Sequence, residues 1–169
     1  MRIKFFNVLL LGAVLMSGCG SAAASEASTP ASSTAVTLDD TSALVDGNVI
    51  SLNENMGDVK KKVGKETQMT ETESCVYNGK EKIYEYDHFT IKTYPKDNED
   101  YVSSITINSK DDKVSGNVQV GSQTSEIESE YPDAEKTPSV YILDQNDYGR
   151  SYSYADSTVT SIELYVIVQ

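Results

Sequence analysis

The chain contains 169 residues, of which 14 are basic and 26 acidic, so its formal net charge is −12. Charge of this sign opposes binding to nucleic-acid phosphates, and we expect no nucleic-acid partner. One histidine, two cysteines and no tryptophan exclude a histidine-rich metal site and a disulfide framework. We therefore expect no metal site and no cofactor, and the length allows one ordinary domain.

Residues 1–18 have the pattern of a secretory signal peptide. A positively charged start is followed by an apolar stretch over residues 5–16 and by two small residues immediately before Cys19. The apolar stretch is shorter than the roughly 20 residues that a transmembrane helix requires. The sequence therefore predicts export from the cytoplasm and cleavage close to Cys19.

The run Leu15-Met16-Ser17-Gly18-Cys19 resembles the lipobox of bacterial lipoproteins, with Met16 where that motif usually has leucine. The resemblance implies cleavage before Cys19 and attachment of a diacylglyceryl group to its thiol. The protein would then be extracytoplasmic and anchored in the cell membrane by its N-terminal lipid. The alternative is a plain secreted protein in which a cysteine falls at this position by chance.

The composition changes after Cys19. Residues 20–43 consist mainly of serine, alanine and threonine and show no apolar periodicity. A segment with so few large side chains cannot offset the entropy lost on ordering, about 1–2 kcal/mol per residue. We therefore predict a lipidated cysteine and flexible tether over residues 19–43, and a folded domain over residues 44–169.

The predicted domain contains an internal repeat. A shift of 68 residues aligns residues 52–64 with residues 120–132, and three apolar positions, among them Val59 and Ile127, coincide. Each copy predicts a short amphipathic helix, with Asn55 as the N-cap in the first and Ser122 or Gln123 in the second. The repeats span residues 47–113 and 114–169.

Strand patterns follow the predicted helix in both copies. A shift of 57 residues aligns residues 102–107 with residues 159–164, so the second copy is 11 residues shorter and is predicted to lack the strand equivalent to 89–94. We predict an α+β fold in which two helix-plus-antiparallel-meander repeats form one sheet, with two short helices on one face. The predicted strands are Ser74–Asn78, Lys82–Asp87, Phe89–Tyr94, Tyr101–Asn108, Ser139–Leu143, Ser151–Ala155 and Thr158–Val168.

The helix pattern followed by a tyrosine-rich meander resembles the tandem repeat of β-lactamase-inhibitor-protein-like (BLIP-like) proteins. Residues 74–79, 84–86, 89–95 and 101–105 are most similar to uncharacterised lipoproteins of Gram-positive anaerobes. Small outer-membrane-assembly lipoproteins use a single copy of a related module. The resemblance implies a non-catalytic binding module over about residues 47–169, and it does not imply inhibition of β-lactamase.

The tyrosines provide the candidate binding surface. Tyr84 and Tyr86 share one side of their predicted strand, as do Tyr152 and Tyr154, and Arg150 lies on the same side as the second pair. Tyrosine and arginine are prominent in interface hot spots, so these five side chains are predicted to contact a protein, peptide or glycan. The alternative is that they are ordinary sheet tyrosines with buried rings.

No catalytic motif is recognisable, and we expect a protein that is not an enzyme. His88 is interpreted as a polar strand-end residue, and Cys75 as a small buried strand residue. The alternative function is a small cell-wall hydrolase that uses a carboxylate pair, which the many acidic residues leave open.

Overall fold

The computed structural model describes residues 36–168. The predicted signal peptide, Cys19 and most of the predicted tether lie outside these residues. Within them, eleven strands and two helices follow in chain order: β1 (Ser42–Val45), β2 (Asn48–Ser51), α1 (Met56–Val63), β3 (Gln68–Glu73), β4 (Lys80–Glu85), β5 (Phe89–Lys96), β6 (Glu99–Ile107), β7 (Lys113–Val114), α2 (Thr124–Glu130), β8 (Glu135–Lys136), β9 (Val140–Asp144), β10 (Tyr148–Ala155) and β11 (Thr158–Val166).

The strands form two antiparallel sheets. The large sheet has eight strands in the order β3-β4-β5-β6-β11-β10-β9-β8, and the small sheet has three in the order β2-β1-β7. Two-residue turns with positive φ at both positions close β5–β6 at Asp97-Asn98 and β10–β11 at Asp156-Ser157. Such turns match the right-handed twist of a hairpin, which explains the Asp and Asn residues there.

The large sheet has similar hydrogen bonding in its two halves. The amide of Asn53 donates to the carbonyl of Val102, and the amide of Gly121 donates to that of Val159. In both halves, the turn before a helix therefore pairs with the last strand of a four-strand meander. The two meanders join where β6 pairs with β11, with Ile105 opposite Leu164.

The predicted fold class is wrong. Strands account for 49% of the described chain and helices for 11%, so the fold is β-rich, and it has two sheets where one was predicted. The second sheet arises because β1 and β2 form a hairpin, and β1 also pairs with β7, about 70 residues later in the sequence. β1 begins at Ser42, inside the predicted tether.

The strand that the second repeat was predicted to lack is present in the large sheet. β10 takes the place that β5 has in the first half, next to the strand that joins the halves. Shorter elements account for the difference in length between the two halves. β8 has 2 residues where β3 has 6. Both hairpins next to the central strand pair contain a register shift, and β10–β11 has fewer residue pairs between that shift and its turn than β5–β6 has. Gly149 lies inside β10.

A side-chain oxygen accepts a hydrogen bond from a backbone amide at the start of each helix. The Asn55 side chain accepts a hydrogen bond from the Gly57 amide at 2.8 Å, which confirms the predicted N-cap of α1. Gln123 is the N-cap of α2, and the Glu126 carboxylate accepts from its amide at 3.0 Å. With 8 and 7 residues, neither helix is long enough to be stable without tertiary packing.

The hydrophobic core lies against one face of the large sheet, which we call the covered face. Ile91, Ile105 and Leu164 line up across β5, β6 and β11 on this face, and all three are buried. Val59 of α1 and Ile127 of α2 are buried in the same core, together with side chains of the small sheet. No helix within residues 36–168 is long and apolar enough to cross a membrane.

Candidate binding surface

The five residues predicted to form the binding surface lie on the covered face. Tyr84 is 4%, Tyr152 0% and Arg150 7% exposed, while Tyr86 and Tyr154 are partly buried and pack against the core. The two pairs do share a sheet face, but this is the face beneath the helices and the small sheet. In the folded domain Tyr152 is therefore out of reach of a partner.

Tyr84 and Tyr86 are held by α1 and by neighbouring strands. The Lys60 ammonium of α1 lies 4.4 Å from the Tyr84 ring centroid, and the Tyr84 hydroxyl donates to the Asp100 carboxylate at 3.3 Å. Burial, followed by the nearby Asp100 charge, raises the pKa of Tyr84. Tyr86 stacks on Phe89 with centroids 4.4 Å apart, and burial raises the pKa of Tyr86 to about 12. Both rings thus support the core.

Arg150 fastens one end of the small sheet to the large sheet. Its guanidinium donates to the Ser115 carbonyl at 2.8 Å and to the Ser115 hydroxyl at 2.6 Å, just after β7. It also donates to the Tyr152 hydroxyl at 3.2 Å and to the Asp40 carboxylate at 3.3 Å. Its role in this structure is to satisfy buried polar groups where the two sheets meet.

His88 occupies the opposite end of the small sheet. Its Nδ1 lies 2.7 Å from Oδ2 of the buried Asp112, and its Nε2 lies 3.1 Å from Oδ1 of Asp46. Only a protonated imidazole donates from both nitrogens, and the hydrogen bond to Asp112 raises the pKa of His88. His88 is thus part of a bridge between two carboxylates and the β4–β5 loop, and not an isolated strand-end residue.

The opposite face of the large sheet carries neither the core nor the helices, and we call it the helix-free face. Strand pairing and side-chain alternation place polar residues and tyrosines on it. Most of these side chains are partly exposed. Its central members are Thr90, Lys92, Tyr94, Tyr101, Ser104, Thr106, Ser161, Glu163 and Tyr165.

Three tyrosines form a row at one end of the helix-free face. Tyr77, from the β3–β4 loop, stacks on Tyr94 with centroids 4.8 Å apart, and Tyr94 lies 6.0 Å from Tyr101. The Tyr94 hydroxyl donates to Asn53 at 2.9 Å and the Tyr101 hydroxyl donates to Glu99 at 3.1 Å. Burial raises the pKa of Tyr94. These contacts hold the rings in place before any partner arrives.

The centre of the helix-free face contains a polar group without a partner. Ser104 is 4% exposed, and its hydroxyl has no hydrogen-bond partner within residues 36–168. Its neighbours across the sheet are Lys92 and Tyr165, and the Lys92 ammonium lies 3.2 Å from the Glu163 carboxylate. A buried hydroxyl left unpaired is unfavourable by about 1–3 kcal/mol.

Tyr165 extends the aromatic character to the other half of this face. Its ring lies over Gly149 and leaves no room for a side chain there, while its hydroxyl donates to Asp144. Burial, followed by the Asp144 hydrogen bond, raises the pKa of Tyr165. The helix-free face thus has tyrosine rings at both ends and serine and threonine side chains between them. Such a surface is suited to hydrogen bonds and aromatic contacts with a partner.

The described residues contain no cluster of three or more His, Cys, Asp or Glu side chains arranged to hold a metal ion. Cys75, expected to be buried in a strand, is an exposed residue of the β3–β4 loop. Strand propensity alone suggested burial there, but the chain leaves the sheet after Glu73.

Comparison with known proteins gives only distant similarities. No protein-family model matches the sequence, and no curated protein matches it. Among solved structures, a cysteine-rich secretory protein from Staphylococcus aureus aligns over 68% of this chain and 44% of its own, with 12% identity and a TM-score of 0.45. An extracellular SCP-domain protein from Bacillus anthracis aligns over 68% and 43%, with 8% identity and a TM-score of 0.42. The chain thus spans less than half the length of both.

Proposed function

We propose that the protein is an extracytoplasmic lipoprotein anchored by acylated Cys19, and that its folded domain is a non-catalytic binding module. The signal-peptide pattern before Cys19 supports the location. The tyrosine row on the helix-free face carries the binding role, because pre-positioned tyrosines are characteristic anchors of interfaces.

The partner we propose is a protein or peptide, with glycans as the competing class. Sugars stack on open aromatic faces, whereas the Tyr94 ring lies between Tyr77 and Tyr101. The Lys96 ammonium lies 5.8 Å from the Tyr101 ring centroid. The stacked row therefore leaves fewer open ring faces than isolated tyrosines would, which favours a polypeptide over a sugar.

A photo-crosslinking amino acid at Thr106 tests this assignment in the full chain, in the cells that make it. Thr106 lies at the centre of the helix-free face, and Lys61, an exposed residue of α1, gives the matched control position. We expect a discrete, protease-sensitive adduct from position 106 and none from position 61. Adding Tyr101→Ala should weaken binding about thirtyfold and reduce the adduct accordingly, because an interface anchor contributes about 2 kcal/mol.

Two results would contradict the proposal. Equal adducts from positions 106 and 61 would show that the helix-free face is not the contact surface. An adduct that resists proteases and disappears on glycosidase treatment would replace the polypeptide partner with a glycan. The melting temperature of Tyr101→Ala is measured alongside, so that loss of fold is distinguished from loss of contact.

Lipidation of Cys19 is a separate expectation of the same proposal. Mass spectrometry of detergent-extracted protein should show a new N-terminus at Cys19 that carries a diacylglyceryl group. A Cys19→Ser variant should lose the modification and leave the membrane fraction. An unmodified wild-type polypeptide in the culture medium would disprove the anchor and leave the binding domain unaffected.

A further inference from the structure

The large sheet ends at β3 in an open edge. β3 pairs with β4 along one side only, and all six of its residues are exposed. Met69 is 45% exposed although it lies on the covered side of the sheet, opposite Tyr84. Such an edge offers a row of free backbone donors and acceptors to another strand.

The alternation of backbone hydrogen bonds along β4 shows which amides and carbonyls of β3 point toward the open edge. The Ser74 amide donates to the Gly79 carbonyl, and the Tyr86 amide donates to the Phe89 carbonyl. Because hydrogen-bonded and non-hydrogen-bonded pairs alternate in antiparallel strands, these two bonds determine which residues of β4 bond to β3 and which bond to β5. Gln68, Thr70 and Thr72 therefore exchange hydrogen bonds with β4. The amides and carbonyls of Met69, Glu71 and Glu73 point away from the sheet, toward the open edge.

The other edge strand of the large sheet, β8, has features that hinder the addition of another strand, and β3 lacks them. β8 has 2 residues, and Pro132 and Pro138 lie on either side of it. Lys136 of β8 pairs with Glu128 at 2.8 Å. Short edge strands, prolines and lysines are the usual means of preventing strand addition. β3 contains neither lysine nor proline and runs for 6 residues.

We propose that the open edge of β3 binds an extended cationic segment of a partner polypeptide by adding it as a ninth strand to the large sheet. Side chains of the added strand would alternate. Those on the covered side would face Met69, Glu71 and Glu73, which favours one apolar residue and two cations. Those on the other side would face Gln68, Thr70 and Thr72, which favours small polar residues.

Charge selects this occupant over a second copy of the chain. The formal net charge of −12 attracts a cationic segment and repels another copy of the same protein. The Glu71 carboxylate contacts Lys80, and the charge of Glu73, which lies opposite Lys80, also acts on that ammonium, so β3 brings two carboxylates to one lysine. This edge is distinct from the helix-free face, and the inference does not depend on the function proposed for that face.

The probe is a fluorescent peptide, Thr-Lys-Thr-Lys-Thr-Leu-Thr, titrated into the full chain and followed by anisotropy. In an antiparallel arrangement its two lysines face Glu73 and Glu71, and its leucine faces Met69. Controls are a peptide with the same composition and the lysines in one block, and a peptide N-methylated on the amides that face β3. We expect the block peptide to bind about tenfold more weakly, because adjacent lysines point to opposite faces of a strand and cannot both face glutamates on one side. The N-methylated peptide should bind at least about tenfold more weakly, because it loses the backbone hydrogen bonds to β3.

Two substitutions of Met69 distinguish the contribution of its backbone amide to peptide binding from that of its side chain. Met69→Pro removes an outward-pointing amide and leaves the β4 hydrogen bonds in place, whereas Met69→Ala keeps that amide. Peptide binding should fall about tenfold in Met69→Pro and less than about threefold in Met69→Ala. Melting temperatures show whether both variants fold, and the N-methylated peptide tests the wild-type chain independently.

Several outcomes would overturn the inference. Equal binding of the alternating and block peptides would show that charge alone attracts them, and equal binding of the N-methylated peptide would exclude strand addition. A dimer of the chain that Met69→Pro abolishes would make a second copy the occupant. Tyr101→Ala should leave peptide binding unchanged, so a failure here is distinguishable from a failure of the helix-free face.

Discussion

Replacing Ile127 with aspartate is expected to lower the free energy of unfolding by about 3–5 kcal/mol. Ile127 is the buried residue of α2 and lies in the same core as Val59 of α1. Aspartate at this position loses the apolar contacts and brings a carboxylate into a site with no solvent. Because single domains are stable by about 5–15 kcal/mol, this loss removes a large part of the total stability and should move the urea midpoint well below that of wild type.

Urea unfolding followed by circular dichroism measures the effect, with Ser125→Asp as the control in the same helix. Ser125 is exposed in the first turn of α2, where a negative charge interacts favourably with the helix dipole. This control should stay within about 0.5 kcal/mol of wild type. Val59→Asp should behave like Ile127→Asp. If Ile127→Asp melts within a degree or two of wild type, α2 does not pack on the large sheet as described.

Local sequence signals were sufficient for the helices but not for the sheet faces. The Asn55 cap and the apolar spacing that buries Val59 and Ile127 lie within one or two turns of chain, so the sequence alone predicts them. Alternation correctly groups Tyr84 with Tyr86. It does not distinguish the covered face from the free one, because a period of two treats both faces alike.

Strand pairing supplies the missing information about the tyrosines. Tyr84 lies opposite Ile91, which lies opposite Ile105, and that apolar row marks the covered face. The same reasoning places Tyr94 and Tyr101, opposite each other, on the helix-free face. The β5–β6 turn at residues 97–98 fixes Tyr94 opposite Tyr101, since a two-residue turn determines which residues face each other. It does not fix the apolar row, because a bulge at Lys92 and Thr93 shifts the register before Ile91.

The small sheet could not be predicted by local patterns. β1 and β2 have 4 residues each and β7 has 2, below the length at which alternation is recognisable. Ala43 pairs with Val114, a contact between distant parts of the sequence. The polar residues that hold this sheet in place, His88 and Arg150, are single representatives of their type in the described chain, and their partners come from other elements.

Removal of the Arg150 side chain is the second large effect that we expect. Arg150→Ala should lower the free energy of unfolding by about 3 kcal/mol, because the Tyr152 hydroxyl and the Ser115 carbonyl lose a charged donor in a buried site. Hydrogen exchange of β1 and β7 amides should accelerate more than that of β5 and β6, since Arg150 fastens the small sheet.

Asp40→Asn provides the matched control for Arg150→Ala. The Asp40 side chain is 54% exposed, so its ion pair with Arg150 is expected to contribute less than about 1 kcal/mol. The comparison separates the buried hydrogen bonds of the guanidinium from its surface charge pair. If Asp40→Asn is as destabilising as Arg150→Ala, the ion pair is the main contact of Arg150. If Arg150→Ala loses less than about 1 kcal/mol, the small sheet is held by its apolar residues, Ala43, Val45 and Ile50, without help from the guanidinium.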